Sequence, residues 1–166
     1  MFEAAEVAAV IIDKDIPFAQ AALVGCGVTT GVGAVINTAK VEPGASVAVF
    51  GCGGVGLNCI QGARIAGAET IIAVDRLDNK LEMGKQFGAT HTVNAAHESP
   101  VEAIMRITGA GVDYALEFTG VTPVIKQAME SLAPRGTCGV AGAFAPDAEV
   151  TLNVVHLMTA GRSIRG

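Results

Sequence analysis

The sequence predicts an α/β domain built on a doubly wound, parallel sheet of six strands, and three observations predict it. Short apolar runs such as Ser46–Phe50 and Thr70–Asp75 are continuous rather than alternating, as strands covered on both faces require. From Ser46 to the C-terminus such runs alternate with segments of helical character, the pattern of crossover units. A glycine turn, Gly51-Cys52-Gly53-Gly54-Val55-Gly56, joins the first run to a helix, and the second run closes on a carboxylate, Asp75.

Taken in order, Ser46 to Phe50 is the first strand, and the helix from Gly54 to Ala66 stops at Gly67, a residue suited to a left-handed cap. Thr70 to Asp75 is the second strand, and Asp78 to Phe87, closed by Gly88, the second helix. His91 to Asn94 reads as a short third strand, and Pro100 to Thr108 as a helix with proline in its first turn, where its missing N–H costs nothing. Val112 to Phe118 follows as the fourth strand, Pro123 to Leu132 as a helix, Gly136 to Gly142 as the fifth strand and Asn153 to Ala160 as a short helix. Ser163 to Arg165 begins a sixth strand, and the stop at Gly166 reads as a cut inside an element. Helices of this length demand right-handed crossovers and parallel pairing, with an expected strand order of 3-2-1-4-5-6 and the ligand at the carboxyl ends of the strands.

The glycine turn carries the chemistry. In a dinucleotide-binding Rossmann unit Gly51 permits the tight turn, Gly53 lets bare backbone approach a diphosphate, and Gly56 lets the helix pack close on the sheet. The free N–H groups and the positive dipole end of the following helix then face the phosphates. Asp75 stands where a ribose hydroxyl is recognised. Arg76 beside it suits a 2′-phosphate, but a carboxylate placed for a 2′-hydroxyl repels that phosphate, so NAD is expected over NADP.

Composition narrows the classes. Eleven basic residues against sixteen acidic ones give a net charge of −5 without a Lys/Arg cluster, which argues against a nucleic-acid partner. A hydrophobic content of 51% raises a membrane reading, because Ile16–Ala39 and Pro43–Ala63 carry no charge. Pro17, Gln20, Thr29, Thr30, Asn37 and the glycines of the first stretch, and the strand and turn within the second, oppose it. Glu3 and Glu6 without a basic flank do not read as a secretory signal, and a cytoplasmic location is expected. Cys26, Cys52, Cys59 and Cys138 lack C-x-x-C spacing, so they suggest reduced thiols, with neither a zinc knuckle nor a disulfide framework.

Residues 1–40 fall outside the alternation and are read as a flanking segment with connecting helices, residues 41–166 as the NAD-binding domain. Phe18–Val24 and Thr29–Thr38 look helical, interrupted by Gly25-Cys26-Gly27, and Glu42-Pro43-Gly44 is a turn into the first strand.

Gly25-Cys26-Gly27-Val28-Thr29-Thr30-Gly31, then Val41-Glu42-Pro43-Gly44, the glycine turn and Ile72-Ala73-Val74-Asp75 together resemble the zinc-dependent alcohol dehydrogenases of the medium-chain dehydrogenase/reductase superfamily. Gly111–Glu117 and Gly161–Gly166 extend the resemblance over nearly the whole chain, and it looks most like the class acting on primary, allylic or aromatic alcohols. The resemblance implies that Cys26 is one of three protein ligands to a catalytic zinc and that Thr30 lies near the nicotinamide. It also implies that Gly53, Gly54 and Val55 face the diphosphate, and that Asp75 and Lys80 approach the adenosine ribose. Phe118 and Thr119 match positions beside the adenosine, and Ala141, Gly142 and Ala143 the segment that reaches the nicotinamide carboxamide. Read without the family, Cys26 is an inert thiol and Lys80 a solvated helix residue.

Missing from the sequence are the family's other catalytic-zinc ligands, a second cysteine and the histidine of a Gly-His-Glu segment, and its four-cysteine structural lobe. His91, His97 and His156 match no ligand position and are read as structural or surface residues. The resulting expectation is the coenzyme domain of a larger NAD-linked enzyme acting on an alcohol or aldehyde, inactive by itself and capable of homodimerising through a sheet edge. The alternatives are a free-standing NAD-binding module, a zinc-free quinone-reductase-like relative, and a methyltransferase-like nucleotide fold.

Overall fold

The computed structural model describes residues 9–166, so the reading of Glu3 and Glu6 lies outside the described residues. Six parallel strands, β1 Ser46–Phe50, β2 Thr70–Asp75, β3 His91–Asn94, β4 Val112–Glu117, β5 Leu132–Val140 and β6 Ser163–Arg165, form one sheet in the order β3-β2-β1-β4-β5-β6. The fold class and strand order expected above are those observed. One buried cluster, with Val47, Val49, Ile60 and Leu116, fills one face of the sheet; the other face holds Phe50, Ile72, Ile104 and Leu132. Both faces are buried, which is why the strands read as unbroken apolar runs.

Helix α1 runs from Phe18 to Ala39 without a break. The expected interruption at Gly25-Cys26-Gly27 is therefore a correction: the glycines are absorbed in a widened π segment, Val24–Val28, and a second one, Ala34–Ala39, ends the helix at Lys40 with φ 57°. Such wider turns keep a helix continuous where the local sequence strains it. Among the described residues α1 is the one helix long and apolar enough, by length and composition, to cross a membrane.

The remaining helices are α2 Gly54–Ile65, α3 Asp78–Phe87, α4 Pro100–Thr108, α5 Thr122–Glu130 and α6 Val154–Ala160. Ser99 caps α4 by accepting the Glu102 N–H at 3.4 Å, and Asn153 caps α6 by accepting from Val155 and His156. Two boundaries depart from expectation. β4 stops at Glu117, leaving Phe118 in the turn, and β5 begins at Leu132, which the sequence suggests belongs to the preceding helix. The strand passes Pro134 through an irregularity, where Val112 pairs Leu132 but Tyr114 pairs Thr137, and Arg135 takes φ 68°. A bulge lets a proline sit inside a strand that a period-based reading starts only after it.

Glycine contacts lock α1 onto α2. A Cβ on Gly31 would lie 2.4 Å from the Val55 carbonyl oxygen, and one on Gly62 3.1 Å from Cα of Val32. The two backbones thus cross in direct contact, with α1 beside the first turn of α2.

Candidate functional site

β1 delivers Phe50 into the glycine turn, where Gly51 takes φ +93° and its N–H bonds the Val74 carbonyl at 2.8 Å. A Cβ on Gly56 would stand 1.8 Å from the Gly51 carbonyl oxygen, so glycine at that position is a steric requirement. Gly53 precedes α2 in extended conformation without a side-chain cap, and no acidic residue occupies the first turn. The N–H groups of Gly54, Val55 and Gly56 therefore begin a helix whose first donors have no intrahelical partner. A Cβ at Gly53 or Gly54 would meet nothing within 4 Å, so both face open space. The result is a donor-lined, sterically open anion seat at a helix N-terminus.

Asp75 ends β2 and is pinned by three main-chain donors. Its Oδ2 accepts from Cys52 N at 2.8 Å, and its Oδ1 from Arg76 N at 2.7 Å and Leu77 N at 3.1 Å. The sequence motif suggests ribose recognition; it does not reveal that this carboxylate also braces the glycine turn. Gly51, Asp75, Arg76, Ala95, Thr119 and Val121 are among the residues lining a cleft of about 590 Å³ at the carboxyl ends of the strands. Ala95, Val121, Val124 and Gln127 were not singled out by motif reasoning. The signal that finds them is topological, because Ala95 follows β3 and the others precede or lie on α5, at the carboxyl ends of the strands.

The other expected residues are spread over several elements. Phe118 is half-buried and packs against the core beneath the glycine turn, while Thr119 lines the cleft. Ala141, Gly142 and Ala143 form the turn leaving β5; Ala141 N donates to the Glu117 carbonyl at 3.0 Å, and a Cβ on Gly142 would lie 2.4 Å from Gly120 N. Lys80, on α3, lies close enough to Cys52 for its charge to act on that thiol. Cys26 and Thr30, four residues apart on α1, are both exposed and share a helical flank. Gly31, the next residue, touches α2, so that flank borders the anion seat.

Among the described residues no group of three or more His, Cys, Asp or Glu side chains could hold a metal ion. Cys26 is the exposed thiol. Burial pushes the Cys52 thiol up to about 12, with the nearby Asp75 charge adding to the effect, and pushes Cys138 to the same range with help from Glu117. Cys59, wholly enclosed, rises well above its ordinary value for the same reason. His91 bonds Thr90 Oγ1 through Nδ1 at 2.9 Å, and all three histidines are exposed.

Sequence reasoning missed Glu117, which is fully buried at the end of β4. Its Oε1 accepts from Thr119 N at 2.6 Å, from Gly120 N at 3.1 Å and from the Thr119 hydroxyl.

With this geometry in hand, the profile of the family described as "Zinc-binding dehydrogenase" matches residues 54–166. An S-(hydroxymethyl)glutathione dehydrogenase of Paracoccus denitrificans is 42% identical over 97% of this chain and 45% of its own length. An alcohol dehydrogenase zinc-binding domain protein from Burkholderia ambifaria superposes with a TM-score of 0.90 at 45% identity, over 93% of this chain and 42% of that one. Benzyl alcohol dehydrogenase from Acinetobacter calcoaceticus gives 0.90 at 41% identity, over 93% and 43%. The chain thus spans less than half the length of the relatives it matches.

Proposed function

The chain belongs to the zinc-binding dehydrogenase family, and from that premise we propose that it forms the NAD(H)-binding domain of an alcohol dehydrogenase acting on a primary, allylic or aromatic alcohol. The observation that carries the reading is the open anion seat of Gly53 and Gly54 beside a carboxylate fixed at the end of β2. That seat fits a dinucleotide: it offers unpaired N–H donors, no competing acid and space where any side chain would intrude.

In this reading the first N–H groups of α2 hold the diphosphate, and Asp75 accepts from the adenosine ribose with Lys80 alongside. The carboxylate is held rigidly by Cys52 N, Arg76 N and Leu77 N, so it cannot swing away from a 2′-phosphate, and NAD is preferred. Phe118 supports the adenosine side from below and Thr119 lines it, while the backbone of Ala141–Ala143 and Thr30 serve the nicotinamide half. The chemistry NAD supplies when bound is acceptance of a hydride, leaving an aldehyde as product.

Zinc is a different matter. A catalytic zinc takes three protein ligands, and the described residues offer Cys26 without companions. They do not fit a complete metal site. Cys26 is the residue this chain would contribute to a site completed by other parts of a longer protein, and by itself the chain is proposed to be inactive. Pairing of the exposed edge strand β6 with a second copy, and a cytoplasmic location, belong to the same reading.

Calorimetric titration of the 166-residue chain with NADH, and an assay of alcohol-dependent NADH formation with added zinc, test it. Saturable NADH binding without turnover is expected. A folded chain that ignores NADH at millimolar concentration overturns the binding assignment, and turnover overturns the incompleteness.

A further inference from the structure

The buried glutamate has one oxygen that the fold does not use. Glu117 pairs in register with Phe50 of β1 and Val140 of β5, so it stands at the switch point beneath the turns that leave all three strands. Oε1 is saturated by Thr119 N, the Thr119 hydroxyl and Gly120 N. Thr119 Oγ1 in turn accepts from Val121 N at 3.1 Å, and its methyl lies where a Cβ on Gly51 would be 2.8 Å away. One carboxylate oxygen therefore shapes the turn that supplies two residues of the cleft wall, Thr119 and Val121.

Oε2 is buried and has no hydrogen-bond partner. It lies directly under the turn that leaves β5, 2.6 Å from where a Cβ on Gly142 would be. Gly120 and the Gly142–Ala143 turn are in backbone contact: a Cβ on Gly120 would be 2.3 Å from Ala143 O and 3.2 Å from Ala143 N. A buried carboxylate oxygen without a donor is unfavourable, and a small movement of a neighbouring N–H relieves it. The turn it touches carries the main-chain amides of Gly142 and Ala143.

We propose that Glu117 is a positioning residue for the cofactor, its Oε1 fixing the adenosine-side turn and its Oε2 receiving a main-chain N–H of Gly142–Ala143 when the nicotinamide half seats. The inference rests on the NAD(H) reading above. It makes the two ends of the dinucleotide cooperate through one side chain, because the bond to Oε2 forms only when the nicotinamide-side turn is engaged. The adenosine end alone does not form it.

Glu117→Gln separates the two oxygens. Three donors demand an oxygen at the Oε1 position, so the amide nitrogen takes the place of Oε2 and presents a donor to donors. The experiment compares the Kd of NADH with that of ADP-ribose, which lacks the nicotinamide, for the wild-type chain, Glu117→Gln and Thr119→Val. Glu117→Gln is expected to bind ADP-ribose within twofold of wild type but NADH at least tenfold more weakly. Thr119→Val, which loses a donor to Oε1, is expected to weaken both ligands by the same factor. Glu117→Gln with an unchanged ratio of the two constants overturns the inference, since a merely structural role moves both together. Should that variant fail to fold, hydrogen exchange of the wild-type chain decides: NADH but not ADP-ribose must slow the Gly142 and Ala143 amides, and equal effects refute the proposal. Wild-type chain that binds neither ligand removes the NAD(H) reading itself.

Discussion

Replacing Gly56 with alanine tests the anion seat most directly, with Gly53→Ala as its partner. The new methyl at Gly56 would lie 1.8 Å from the carbonyl oxygen of Gly51, and its neighbour is backbone that cannot rotate away. Relief to an ordinary contact of 3.4 Å means moving the start of α2 by about 1.6 Å, in a helix whose Leu57, Cys59, Ile60 and Ala63 are packed in the core. Overpacking of this kind costs about 3 kcal/mol. For a domain of this size that corresponds to a fall in Tm of roughly 6–12 °C. A methyl at Gly53 meets nothing within 4 Å, and φ there is −77°, so Gly53→Ala is expected to hold stability within about 0.5 kcal/mol. That methyl occupies space the diphosphate needs, and NADH affinity is expected to fall by at least tenfold, or about 1.4 kcal/mol. Differential scanning fluorimetry and calorimetric NADH titration on both variants read the two effects separately. A Gly56→Ala chain with wild-type Tm, or a Gly53→Ala chain with wild-type affinity, refutes the reasoning.

Three further outcomes are expected. Cys52 and Cys138 hold their protons to about pH 12 in the fold, against 9.0 for an ordinary thiol. The unfolded chain therefore releases those protons first, so stability is intact below pH 9 and falls by about 1.4 kcal/mol per thiol per pH unit above it; denaturant midpoints between pH 8 and 10.5 check this, and a flat profile contradicts it. Asp75→Asn removes the charge that repels a 2′-phosphate while its amide oxygen can still accept from Arg76 N and Leu77 N; the NAD-to-NADP affinity ratio is expected to drop about tenfold, and an unchanged ratio places the specificity elsewhere. Gly31→Ala drives a methyl to 2.4 Å from Val55 O; a loss of about 2 kcal/mol in urea melts is expected, and a neutral result would mean that α1 does not pack on α2 in solution.

How far the sequence is legible follows from the range of each signal. Strand order, the glycine turn and Asp75 come from local patterns, because buried parallel strands and tight turns restrict residue type position by position. The course of α1 does not, since Gly25 and Gly27 lower helix propensity, yet contact with α2 through Gly31 and Gly62 outweighs that deficit. The start of β5 at Leu132 is equally hidden, because Pro134 imitates a boundary and only pairing with Val112 keeps the strand going. Glu117 is the most instructive omission. In the chain it is an acid at the end of an apolar run, indistinguishable from a solvent-facing residue, and its role comes from Thr119, Gly120 and Gly142 closing over it. Topology likewise places Ala95 and Val121 in the cleft through strands far apart in the chain.

At the crossing of Gly31 with Val55 the main chains of two helices come into direct contact, with Asn58 Cβ packed beside them. Cys26 and Thr30 lie on the first of these helices and the uncapped N-terminal amides on the second. Any side chain larger than hydrogen at position 31 would press on the same first turn of α2 that carries those amides.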